Sequence, residues 1–316
     1  MVEPVLIYDR IDRNRRATGL LFAAFILLVA GVFAAVGVFL GVEGGLPVEE
    51  LGPLVAGSAV SGLVLALVLA VITYFASPAA VLALSGAHRV NEDEAPELYR
   101  VVENLCIGAG LPMPRVHIIE DTAPNAFATG RDPQHASVAV TRGLLQKLDR
   151  RELQGVIAHE LSHIGNYDIR LMTVLAVMAG LAALVADVML RWTWYGSGRR
   201  SSNRDKGGGA LALILLAVAI VFIIVAPMAA GLLRLAVSRQ REFLADASGA
   251  LLCRDPDALA DALQKIAADS EPLEVANKAT AHLYIANPLQ EHGSFLNNLF
   301  STHPPMAERI TLLRAM

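Results

Sequence analysis

With 316 residues, 54% of them hydrophobic, and a mean hydropathy of +0.49, the chain is too apolar for an ordinary soluble enzyme, where the apolar share is about 45–50% even with Gly counted. Its net charge of −4 and the lack of any basic stretch interleaved with aromatics predict no nucleic-acid partner. Cys106 and Cys253 lack Cys-x-x-Cys spacing and read as reduced structural thiols, and no Gly-x-x-x-x-Gly-Lys-Ser/Thr loop is present to bind ATP.

The excess hydrophobicity is localised. Residues 17–40 and 54–76 carry no charge and are long enough to cross a hydrocarbon core of about 30 Å, the second ending at Ser77-Pro78. The first run is too long for a signal-peptide core and reads as an anchor. Arg10, Arg13, Arg15 and Arg16 precede it, whereas the loop 42–52 carries Glu43, Glu49 and Glu50 and no Lys or Arg, so the N-terminus is expected in the cytoplasm. Residues 171–186 and 210–233 are two further apolar runs, expected either to cross the bilayer or to form a hairpin. The loop 191–209 between them holds Arg191, Arg199, Arg200, Arg204 and Lys206 against Asp205, which fits a shallow hairpin or an exception to the positive-inside rule. An even number of crossings intervenes either way, so 77–170 and 234–316 are expected on the same, cytoplasmic side.

Within 77–170, the segment Asn91–Pro96 opens a helical pattern with Leu98, Val101, Val102 and Leu105 on one face, ended by Gly108 and Gly110. Residues 115–120 and 136–141 read as strands separated by a loop at 124–130, and 142–148 as a short helix. A peptide substrate can add itself to an exposed sheet edge, which makes its backbone rather than its sequence the thing recognised. Asn125 is placed either to hydrogen-bond such a peptide or to cap its own turn.

Asp149, with Glu152 three residues on, resembles a capping box, and Leu153, Val156, Ile157, Leu161 and Ile164 recur at helical spacing. On that helix lies His159-Glu160-x-x-His163. Two imidazoles one turn apart can reach a single metal ion, and Glu160 points about 100° further round, toward water held there. A catalytic zinc usually takes three protein ligands. Glu242 and Asp246 share a face of the helical stretch after the fourth apolar run, with small Ala245 and Gly249 allowing close approach to another helix. Glu242 is the expected third ligand, and Asp246 the acceptor for a ligand imidazole N–H. Residues 257–267 read as another amphipathic helix, 270–298 as a lid or packing segment, and His303 precedes a Pro-Pro helix start.

With these motifs in this order among membrane segments, from the 125–130 loop to His303-Pro-Pro-x-x-Glu-Arg-Ile310, the chain resembles the HtpX family of membrane zinc metalloproteases. The resemblance spans nearly the whole chain. It implies a mainly α fold with a small β-sheet: integral membrane helices plus a zincin-like cytoplasmic metalloprotease domain. The expected division is an anchor at 1–76, the first catalytic part at 77–170, two apolar helices at 171–233 and the second catalytic part at 234–316. It implies one Zn2+ held by His159, His163 and Glu242, Glu160 as general base on zinc-activated water, His303 stabilising the tetrahedral intermediate, and Arg309 and Asp246 in support. The implied work is cleavage of misfolded or damaged membrane proteins in quality control at the plasma membrane. Type 1 CAAX prenyl proteases are similar in motif but have more spans than this hydropathy allows. An inert scaffold with structural zinc would need a closed four-ligand site, commonly with Cys.

Overall fold

The computed structural model describes residues 7–176, 239–274, 280–286 and 304–316. These fall into two compact units, one formed by Thr18–Tyr74, the other by 7–17, 75–176 and the described residues from 239 onward. Most of the third and all of the fourth apolar run lie outside the described residues, as does His303.

Two helices of 37 residues each open the chain, α1 (Ile7–Glu43) and α2 (Val48–Leu84). Their apolar stretches reach mean hydropathies of 2.8 and 2.5, long and apolar enough to cross a membrane. Val60, Val64, Val68, Val71 and Ile72 are exposed along α2, an apolar surface of the kind that water-soluble monomers avoid. Helix α2 does not stop at Ser77-Pro78. The helix runs through Pro78 despite its missing backbone donor and ends at Leu84, before Gly86 turns the chain with φ 62°.

The second unit is built on a four-stranded mixed sheet of order β1-β2-β4-β3. Here β1 is His88–Arg89, β2 Arg115–Ile119, β3 Ala126–Gly130 and β4 Ala136–Thr141. β2 and β4 run parallel, and β3 returns antiparallel to β4 with Phe127 opposite Ala139. The expected loop at 124–130 is therefore mostly an edge strand; its Ala-rich composition, poor in β-branched residues, hid it. Alternation divides the sheet between two cores. Val116, Ile118, Ala126, Ala128, Val138 and Val140 face the main core, and Ile119, Phe127 and Ala139 face a smaller one with Met172, Leu273, Leu283 and Tyr284.

Helix α3 (Pro96–Ala109) buries the predicted Leu98, Val101, Val102 and Leu105 and ends on Gly110 in the left-handed conformation. On the same helix the buried Cys106 has its thiol pushed up to about 11 by burial, which suits a packing role. After the short α4 (Arg142–Lys147), α5 (Arg150–Gly165) begins at a complete capping box, the Asp149 carboxylate accepting from the Glu152 amide and the Glu152 side chain from the Asp149 amide. Helices α6 (Arg239–Cys253), α7 (Pro256–Ala268) and α3, together with β3, pack on α5. Gly155 lets the α7 backbone meet α5 directly, since a Cβ there would lie 2.7 Å from the Leu259 nitrogen. The closing helix α8 (Met306–Arg314) lies on α6 and α7. Of the expected lid, Leu273, Leu283, Tyr284 and Ile285 are buried and serve packing.

Candidate active site

The interior course of α5 decides the character of the site. Eleven of its residues are buried, so the His-Glu motif sits on a helix enclosed on several sides, with His159 and Glu160 each 1% exposed and His163 6%. Helix α6 reaches it through Gly249. A Cβ at that position would stand 2.9 Å from the His159 nitrogen and 3.0 Å from its Cα. At this closeness Asp246 and Glu242, about one and two turns N-terminal to Gly249, project onto α5. Glu242 Oε2 lies 3.9 Å from His159 Nε2, and Oε1 3.7 Å from His163 Nε2.

The imidazoles are oriented from behind. His159 Nδ1 is 2.9 Å from Asp246 Oδ1, and His163 Nδ1 is 3.1 Å from Asp168 Oδ2. A carboxylate only accepts, so the hydrogen-bonded His163 Nδ1 carries hydrogen, and the two Nε2 atoms face each other 3.2 Å apart. Nitrogens at that distance are held by a proton or a metal ion between them. Without metal it is a proton: burial works against a charged His163, but Asp168 and Glu242 outweigh it and raise the ring to about 9, while burial lowers His159. A divalent metal fits the same gap, because nitrogens about 2.0–2.1 Å from a tetrahedral zinc stand about 3.4 Å apart. The candidate ligand atoms of His159, His163 and Glu242 all lie within 4.8 Å of one another, and among the described residues no other group of three or more His, Cys, Asp or Glu is placed to hold a metal.

Glu160 is the remaining group. Its Oε1 is buried with no hydrogen-bond partner, while the Ala128 backbone on β3 favours the charged form of its carboxylate. Burial, and after it the nearby Glu242 carboxylate, raise Glu160 to about 7, with His163 and Arg309 opposing. An orphaned buried carboxylate oxygen beside three converging ligands is what a site built around a metal and a reacting water would leave.

Arg309 on α8 is fully buried and forks onto Asp246, Nε to Oδ2 at 2.8 Å and an Nη to Oδ1 at 2.7 Å. It also donates to the Ile285 carbonyl at 2.9 Å and approaches Glu242 Oε2 at 3.7 Å. It thus orients Asp246, which orients His159. Asp168 plays the matching part for His163 and was missed in the sequence; its place five residues after His163, past the helix end, was the available signal.

Asn125 is 4% exposed. Its amide donates to the Ala286 carbonyl at 3.1 Å and its oxygen accepts from the Ala126 and Ala286 amides at 3.1 and 3.3 Å. With Ile285 donating to the Ala126 carbonyl at 2.9 Å and a bridge between Phe127 and Tyr284, residues 284–286 cover the start of the β3 edge. Of the two roles open to Asn125, the polar atoms here hold the protein's own chain.

A family model described as Peptidase family M48 matches residues 92–316. A Protease HtpX homolog of Thermoanaerobacter pseudethanolicus is 51% identical over 245 residues, covering 78% of this chain and 80% of the relative. The Protease HtpX homolog of Streptococcus gordonii is 44% identical over 312 residues, 98% of this chain and 100% of the relative, and that of Dictyoglomus turgidum 44% over 320, 100% and 96%. Among solved structures, Ste24p of S. mikatae aligns with a TM-score of 0.46 at 19% identity, over 79% of this chain and 57% of its own. On the match to the family model and on relatives of this identity along nearly their whole length, the chain belongs to peptidase family M48, a metalloprotease family.

Proposed function

We propose that this protein is a membrane-bound zinc endopeptidase that hydrolyses peptide bonds of misfolded or damaged membrane proteins, with its catalytic unit facing the cytoplasm. The observation that carries this reading is the convergence of His159 Nε2, His163 Nε2 and the Glu242 carboxylate beside the unpartnered, buried Oε1 of Glu160. His159, His163 and Glu242 hold the metal. Three ligands leave a position for water or substrate, as catalytic sites do and closed structural sites do not. When bound, zinc supplies Lewis acidity, acidifying water and polarising a substrate carbonyl.

Glu160 takes the proton of the attacking water and returns it to the leaving amine, a double duty suited to a carboxylate raised to about 7. The Ala128 backbone at the strand edge favours the charged form of that carboxylate. Beyond the part covered by 284–286, that edge gives a substrate backbone a place to pair, which makes specificity broad. Asn125 contributes by securing the covered part. His303 stabilises the tetrahedral intermediate, with Arg309 and Asp246 in support.

The membrane placement is supported by the two long apolar helices and by the arginines flanking the first. Zinc analysis of His163→Ala and Glu242→Ala, each purified as the full chain in detergent, tests the reading. Both variants lose zinc and proteolysis; either one keeping a full equivalent of zinc overturns the ligand set. A C-terminal tag cleaved by external protease in intact spheroplasts would overturn the orientation.

A further inference from the structure

Asn14 stands in the arginine-rich stretch before the first apolar run, where sequence gives it no role. Its side chain is 4% exposed, and its amide nitrogen donates to the Asn166 carbonyl at 2.9 Å and to Asp168 Oδ1 at 2.7 Å, acceptors 152 and 154 residues along the chain. A carboxamide has two N–H donors, and both are committed here.

The two acceptors bracket the bend that follows α5. Between them Tyr167 has φ 60°, a left-handed conformation that bulky L residues rarely adopt. The Arg15 guanidinium lies 4.4 Å over the Tyr167 ring and that of Arg170 at 5.2 Å. Asp168 leaves this bend with Oδ1 toward Asn14, and toward Arg241 at 3.6 Å, and with Oδ2 3.1 Å from His163 Nδ1. A carboxylate on a tight bend can turn about its own bonds, and the hydrogen bond at Oδ1 removes that freedom.

We infer that Asn14 is a positioning residue of the metal centre: it holds Asp168 in the rotamer that fixes the His163 ring, so that Nε2 of His163 faces the metal. The inference rests on His163 being a ligand. The N-terminal end of α1 is then part of the site, and the helix does more than tether the enzyme.

The test is a double-mutant cycle in zinc affinity, measured by chelator competition on the full-length protein in detergent, for wild type, Asn14→Ala, Asp168→Ala, the double variant and His163→Ala. Loss of a group that orients a ligand weakens metal binding about 10–100-fold. Asp168→Ala should fall in that range and Asn14→Ala should lose about tenfold, while the double variant binds no more weakly than Asp168→Ala alone. Fully additive losses, the mark of a general folding role, or wild-type affinity in Asn14→Ala while His163→Ala loses zinc, would overturn the inference. If His163→Ala binds zinc like wild type, the ligand assignment itself fails and the inference goes with it. Should Asn14→Ala not fold, Asn14→Asp keeps the shape, removes both donors and sets a second carboxylate against Asp168; it must weaken zinc binding at least as much, and wild-type affinity there refutes the proposal.

Discussion

Replacing Gly249 with Ala adds one methyl group and no charge, yet it should weaken zinc binding. In an open helix the exchange stabilises by about 1 kcal/mol. Here the new Cβ would stand 2.9, 3.0 and 3.2 Å from backbone atoms of Ala158 and His159, against ordinary contact from 3.4 Å upward, so α6 must retreat by about 0.5 Å. Neither helix backbone can bend out of the way as a side-chain tip could. Overpacking of this kind costs about 1–3 kcal/mol, and the helix that retreats carries Glu242. A metal site tolerates ligand displacements of about 0.2 Å. Zinc affinity of Gly249→Ala, read by chelator competition, should fall tenfold or more, with a loss of stability in the metal-free protein of about 1–2 kcal/mol. Gly108→Ala is the control, its Cβ meeting only the Leu252 side chain at 3.6 Å, and should leave zinc affinity unchanged. Wild-type affinity in Gly249→Ala would refute the argument that close helix approach places Glu242.

Zinc must displace the proton that His163, raised to about 9, carries in the metal-free site. Apparent zinc affinity, corrected for protonation of the chelator, should therefore drop about tenfold for each pH unit below about 9 and level off above it; a flat profile between about pH 7 and 8 would contradict this. Arg309→Met leaves the buried Asp246 carboxylate with His159 alone, and removing one partner of a buried pair costs about 3–5 kcal/mol. Denaturant unfolding checks it, and a loss under about 1 kcal/mol would mean that the pair is not the support described. Arg309→Lys should recover little, since a lysine cannot fork onto both oxygens.

How far the site was legible depended on how far its residues lie apart. Helix α5 declared itself through Asp149, Glu152 and an apolar period, all within about four turns. Glu242 is expected from what a two-histidine site lacks, with Asp246 one turn later on the same face, and the structure brings both against the histidines. Asp168 is close in sequence to His163 but lies past the end of the helix, so no periodic pattern carries the chain's turn back toward the ring. Asn14 was beyond reach: its contact joins the first helix to the bend after α5, and its flanking arginines read as a topology signal. Strand β3 was concealed by Ala126, Ala128 and Gly130, small residues that suit a crowded edge but mimic a loop. The two apolar helices were legible from composition, though not their length, because Pro78 does not end α2.

The central claim is that one zinc and the Glu160 carboxylate together hydrolyse peptide bonds. Its most direct test is paired: zinc content and casein cleavage of full-length wild type and Glu160→Gln, both purified in detergent under chelation and then reloaded with zinc. The substitution keeps the shape of the side chain and removes its capacity to take a proton. Both proteins should bind one zinc and only wild type should cleave. Proteolysis by Glu160→Gln at the wild-type rate would contradict the account.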